Sequence, residues 1–437
     1  MAETCQRSAA DDHPDEDSCS EYLPHQTKPE EDDDQDDLQL WRNLPSGAEG
    51  IIRQIAAEHI LHQLLDTVNQ RDSVQYQVIF NVVKAFPGTC VRSYEFAWED
   101  QSPRQLLPLA VICCLRPPLY VVEAVYEANP DAVFVKEPHK QAVPLHLASA
   151  FEASLDVVQF IYQKHPGALQ VPRTDGVLST HLACGFYLGN PSVVHFLLDQ
   201  FPQAAEAVCN HLYWSPLHSA CHGGVPEIPL LQRLVQLDPT MLERPDRHGR
   251  WPLHLAARSR RCSPPLIQFL VEHATAAMLS AQDRLDGWTP FFLVCIHQPP
   301  PVLEAFLDSA GLDRLRPHAT HGGATVLHWA AIANDASVVD VLARRFPELL
   351  SIVTADDARD TPLACAVDHG APPETVETLI RHYPRALFLK DGALRRPLVV
   401  AKRNGRQELI DVLQKAEIQH EALGERMMVN RSSAPRH

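Results

Sequence analysis

Trp251-Pro252-Leu253-His254-Leu255-Ala256-Ala257 decides the fold, because the chain repeats it. Pro144-Leu145-His146-Leu147-Ala148 and Ser215-Pro216-Leu217-His218 follow the same pattern. The anchors are Pro108, Pro144, Pro216, Pro252, Pro290, Pro362 and Pro397, with Ser179 and Val326 standing where proline is missing. Successive steps are 36, 35, 37, 36, 38, 36, 36 and 35 residues. Self-similarity at such a period marks a stack of repeats rather than one enzyme core. It directs the functional reading toward holding another molecule.

Proline suits the first turn of a helix, where its missing N–H costs nothing. Leucine and alanine in the next turn supply a small apolar face for close helix packing. A second proline follows 21 to 23 residues after the anchor in most copies, at Pro130, Pro166, Pro202, Pro239, Pro347 and Pro384. Before it runs a helical pattern such as Leu155, Val157, Val158, Phe160, Ile161, which the proline is expected to stop. A turn-prone stretch comes next, as in Asp246-Arg247-His248-Gly249. Each unit therefore reads as helix, turn, longer helix and a projecting hairpin-like loop.

These motifs, together with Asp286-Gly287-Trp288-Thr289-Pro290, resemble the ankyrin repeat over residues 104–415. The units are a few residues longer than the usual one, and an aromatic or His-Pro-x-Ala/Leu ending replaces the family's Gly-Ala-Asp. That ending looks like a lengthened ankyrin variant. The resemblance implies an all-α solenoid of about nine helix-turn-helix units with short hairpin-like loops. It also implies that the anchor histidines His146, His181, His218, His254 and His328 form hydrogen bonds tying adjacent loops.

The charge is uneven. Residues 1–50 hold fifteen Asp or Glu against three Lys or Arg, a net of −12 within a chain total of −17. The run Glu30-Glu31-Asp32-Asp33-Asp34-Gln35-Asp36-Asp37 repels itself, so residues 1–49 are expected to form an acidic disordered tail. The cluster Leu38-Gln39-Leu40-Trp41-Arg42-Asn43-Leu44 reads as a lead-in that packs on the first helix, with a linear docking motif as the alternative. Residues 50–103 read as a helical cap or degenerate repeat, and 104–415 as the array. Residues 416–437 read as a C-terminal tail frayed beyond Ile418. Apolar runs fall short of a bilayer span, and Met1-Ala2-Glu3-Thr4-Cys5 lacks the features of a secretory signal. The expectation is an intracellular protein, in cytoplasm or nucleus, that does not enter membranes and is monomeric.

The repeat period argues against metal and catalytic readings. Cys113, Cys184, Cys221 and Cys295 share one position, five residues after the anchor, where other copies carry Ser149, Ala257 and Ala331. That is a small buried side chain. Neighbouring helices pack about 8–10 Å apart, against the roughly 7 Å limit for a disulfide and zinc–ligand bonds of about 2.0–2.3 Å. His218, Cys221 and His222 form one local cluster, but the first two already hold repeat positions. A Gly-x-Ser-x-Gly turn, a phosphate-binding loop and a kinase signature are absent from the sequence. No catalytic residue, metal or cofactor is expected, and the net charge disfavours nucleic acid.

Binding remains. By the resemblance, loop tips and the exposed end of the first helix line a groove. This gives a ladder two residues before each anchor: Ala142, Val177, Trp214, Arg250, Trp288, Ala324, Asp360 and Arg395. Its middle, with Tyr213 and Trp251 beside it and Arg247, His248, Arg258, Arg260 and Arg261 further round, makes an aromatic and basic patch. Trp, Tyr and Arg often dominate interfaces, so an acidic or amphipathic peptide is the expected ligand. In the alternative reading one or more of the tryptophans are core, Trp251 first among them. The expected role is a non-catalytic scaffold or adaptor. A substrate-recruiting subunit of a larger enzyme complex, such as a ubiquitin ligase, is the alternative.

Overall fold

The computed structural model describes residues 50–66, 74–97, 103–185, 190–224, 227–311, 315, 323–333 and 336–432. The expected disordered tail and the Leu38–Leu44 lead-in lie outside these residues. The chain divides into two compact units between Arg247 and His248.

Nine short helices open at the anchors, from Pro108–Cys113 through Pro252–Arg258 to Pro397–Arg403. Seven of them have proline in the first turn, and the residue before it is extended, as a residue preceding proline must be. These helices are the core: Pro252 to Ala257 are all buried, and so are Pro144 to Ala150. The second helix of each unit buries one face only. In Leu155–Lys164 the inward residues are Val157, Val158 and Ile161, spaced at one and three as a helical stripe requires.

The second proline stops this helix and also opens something the sequence reading left out. In six units it starts a 3₁₀ turn, such as Pro166–Gln170 or Pro239–Glu243. The preceding residue has φ between −151° and −134°, which breaks the α-helical ladder. The unit that opens at Pro252 lacks this proline and instead builds Ala276–Ser280, with Thr275 Oγ1 accepting from Met278 N at 3.3 Å as an N-cap.

Residues 50–103 hold helices Gly50–Leu65 and Tyr76–Ala85. An antiparallel pair follows, β1 (Tyr94–Ala97) and β2 (Pro103–Leu106), with Tyr94 opposite Leu106. At the other end the last helix runs Gln407–Ser432, well past the point where fraying was expected. The segment is rich in strong helix formers and meets no proline before Pro435. Glu408, Asp411 and Lys415 face solvent on it, as a capping helix requires.

Candidate partner-binding surface

Among the described residues six of the loops are closed hairpins. The residue two before the anchor accepts a backbone hydrogen bond from the loop's start: Glu137 N to Ala142 O, Arg173 N to Val177 O, Cys209 N to Trp214 O and Asp283 N to Trp288 O, all 2.9–3.0 Å. Neighbouring loops are joined as well. Thr174 N donates to Lys140 O, Asn210 N to Asp175 O and Arg247 N to Leu212 O in one unit. Arg284 N donates to His248 O in the other.

Four of the five anchor histidines lock this stack. His218 Nδ1 accepts from Ser215 N at 3.2 Å and lies 2.8 Å from Ser215 Oγ. An accepting Nδ1 places the proton on Nε2, and His218 Nε2 donates to Arg244 O at 3.0 Å. His181 reaches Trp214 O, His254 reaches Ala281 O and His328 reaches Asp360 O in the same way. Burial pushes the pKa of His146 down to about 3, and those of His181 and His328 to about 4. The neutral imidazole is therefore a structural part. The repeated cysteines are equally interior: burial drives the thiols of Cys113 and Cys184 up to about 12, far from reactive thiolates. Among the described residues no group of three or more His, Cys, Asp or Glu is placed to hold a metal ion, and no helix is long and apolar enough to cross a membrane.

The predicted ladder is corrected by this geometry. Trp214 is 3 % exposed, Arg250 1 % and Trp288 1 %, so the residues expected to line the groove are core. At Trp214 and Trp288 this position closes the hairpin, and the closing bond turns the side chain inward. Trp214 Nε1 donates to Asp246 Oδ2 at 3.0 Å, and its ring rests on His222 with centroids 4.9 Å apart. Trp288 packs edge-on against Trp329 at 5.8 Å. Trp251, expected to be the most buried of the three, is only half-buried. Arg258 is half-buried too, with its Nη1 3.4 Å from Asp286 Oδ2, so a local carboxylate already counters its charge. Arg260 and Arg261 are exposed in the turn that follows.

The outward position is one residue earlier, three before the anchor. Eight of the nine residues there have positive φ: Gln141 59°, Gly176 79°, Tyr213 60°, Gly249 75°, Gly287 70°, Gly323 83°, Arg359 45° and Leu394 62°. Four are glycine, the residue that adopts this conformation freely. That recurrence was legible and marks the hairpin corner. At this corner Tyr213 stands 55 % exposed. Its neighbour across the loops is Arg247, also exposed, joined through the 2.9 Å bond to Leu212 O. The inward Trp214–Asp246 bond fixes the residues next in sequence, so Tyr213 and Arg247 face outward together. Of the predicted site residues, these two in one unit and Arg260 and Arg261 in the other remain on the surface.

Sequence reading also missed the loop-start acids. Glu137 carboxylate oxygens accept from His139 N, Lys140 N and Ala142 N at 2.5–3.1 Å. Asp283 Oδ1 accepts from Asp286 N and Gly287 N at 2.8 and 2.9 Å. An acid six or seven residues before the anchor, at Glu137, Asp246, Asp283 and Asp391, was the available signal.

Comparison with known proteins agrees with this architecture. Residues 180–278 match the family model "Ankyrin repeats (3 copies)". The chain is 29 % identical over 143 residues to "Ankyrin repeat-containing protein C6C3.08" of Schizosaccharomyces pombe, which is 32 % of this chain and 57 % of that protein. It is 31 % identical over 159 residues to "B-cell lymphoma 3 protein" of Homo sapiens, 36 % of this chain and 34 % of the relative. It is 29 % identical over 126 residues to "Probable 26S proteasome regulatory subunit p28" of Saccharomyces cerevisiae, 26 % of this chain and 48 % of the relative. The matches thus span between 34 % and 57 % of these relatives' own lengths. With the family model, these relatives and the nine anchored helix pairs in agreement, the chain is an ankyrin-repeat protein.

Proposed function

We propose that this ankyrin-repeat chain is a non-catalytic scaffold or adaptor that works as a monomer and takes a partner protein on its loop-tip edge. The observation carrying this reading is the outward pair Tyr213 and Arg247, held on the buried Trp214–Asp246 bond. An exposed aromatic beside a guanidinium is the composition of an interface anchor. Arg260 and Arg261 offer a separate basic patch on the other unit. Affinity capture from cell extract with Tyr213→Ala/Arg247→Ala against wild type tests it, with thermal unfolding of both alongside. The expected result is a partner lost by a variant that melts like wild type. Unchanged capture would remove the loop-tip edge from consideration.

One relative's name supports a second reading, recruitment to a larger protein-handling complex, because it is called a proteasome regulatory subunit. In that case subunits of one large enzyme assembly should co-purify in fixed ratio. A single small partner would favour the plain adaptor.

A further inference from the structure

Tyr213 is costly where it stands. Left-handed backbone costs a non-glycine residue about 1–2 kcal/mol, and half of the equivalent corners avoid this with glycine. Gln141, another exception, turns its Nε2 back onto Glu137 O at 3.2 Å and closes its own loop. The Tyr213 side chain makes no hydrogen bond or ring contact among the described residues, so nothing within the fold compensates for it. Arg247 beside it forms no ion pair among the described residues. The adjacent acid, Asp246, is turned inward onto Trp214, and the exposed Glu243 has Arg244 next to it. A phenol hydroxyl and an uncompensated guanidinium on one rigid edge fit a carboxylate-bearing segment, with the hydroxyl donating and the guanidinium supplying charge.

Such a segment lies on the same chain. Glu30–Asp37 has seven carboxylates in eight residues. From Gly50–Leu65 the first helices pack in succession through Pro108–Cys113, Pro144–Ala150 and Ser179–Gly185 to Pro216–Gly223. Four such steps amount to about 32–40 Å. The thirteen residues from Asp37 to Gly50 reach about 43–47 Å when extended. The linker is therefore longer than the stack of helices it must cross.

We propose that Glu30–Asp37 docks on the Tyr213–Arg247 edge and competes there with a partner, Tyr213 being kept for this contact at a cost in stability. This rests on the loop-tip reading above. Tethering raises the local concentration of the run toward the millimolar range, so a weak contact suffices. The test uses the full chain with Glu30, Glu31, Asp32, Asp33, Asp34, Asp36 and Asp37 replaced by Gln or Asn. A labelled peptide of residues 28–45 is the probe, read by fluorescence anisotropy. The peptide should bind this chain at least ten-fold more tightly than wild type, whose own run occupies the edge. The gain should shrink between about 50 and 200 mM salt. Adding Tyr213→Gly or Arg247→Glu should weaken the peptide at least ten-fold, with no fall in melting temperature for Tyr213→Gly. Equal binding to wild type and neutralised chains, absent binding, or indifference to both edge substitutions overturns the proposal. If the peptide fails while partner capture still depends on Tyr213, only this inference falls. If capture is indifferent as well, the loop-tip reading falls with it.

Discussion

Asp360 closes a loop through its backbone while its carboxyl is pushed up to about 6. Burial is the main cause, with Asp368, Asp391 and Asp356 adding repulsion and Arg395 opposing them. A folded-state pKa above the unfolded value near 3.9 means the native state binds the extra proton between about pH 4 and 6. The carboxylate is therefore a liability above that window, relieved as pH falls through it. Asp360→Asn should raise the melting temperature at pH 7.5, and the gain should vanish near pH 4. A gain independent of pH would refute the assignment. The corner residues give an opposite pair. Tyr213→Gly should leave stability unchanged or raise it by about 0.5–1 kcal/mol, strain relief outweighing glycine's chain entropy. Gly176→Ala should destabilise by about 1–3 kcal/mol, since its Cβ would sit 2.8 Å from Asn210 N at φ 79°. Urea unfolding of the two variants measures both.

At the scale of the element, loops depend on the anchor histidines and on the inward tryptophans. His218→Ala leaves Arg244 O and Ser215 N without that partner and should cost about 2–3 kcal/mol. Trp288→Ala opens a core cavity and should cost about 3–5 kcal/mol. Arg260→Ala, on an exposed turn, should stay within about 0.5 kcal/mol. Equilibrium denaturation that ranked the three differently would contradict the inward assignment of the ladder. The helices were readable because their anchors repeat chemistry that acts locally: proline at the first turn and proline after the last. The 3₁₀ turns after the second proline were not, because the same residue that ends one helix is also suited to open another.

Across the molecule, buried neutral histidines dominate the response to acid. His146, His181 and His328 have folded pKa values of about 3 to 4, below the unfolded value near 6.5. The unfolded chain then binds more protons below pH 6.5. The stability these groups contribute is fully present above that pH and is lost as pH falls toward 4. The loss should reach about 2 kcal/mol per histidine at pH 5, exceeding the relief from the single Asp360. The urea midpoint should accordingly drop steeply between pH 7 and 5. A flat profile would mean that these imidazoles are not buried neutral.

The sequence by itself determined the repeat stack, its period and its anchors. Each follows from local chemistry copied along the chain, seven of the nine anchors being proline, and copying makes a weak signal strong. Which side of the hairpin faces water was decided only in three dimensions. A one-residue shift separates buried Trp214 from exposed Tyr213, and what sets it is the closing bond from Cys209 N to Trp214 O together with the Asp246 carboxylate from the next loop. Those partners lie 5 and 32 residues away. Residue type alone favoured the tryptophans and arginines as an interface. Packing placed Trp214, Arg250 and Trp288 inside, because a large side chain beside a closed hairpin loses less by filling the neighbouring layer than by standing in water.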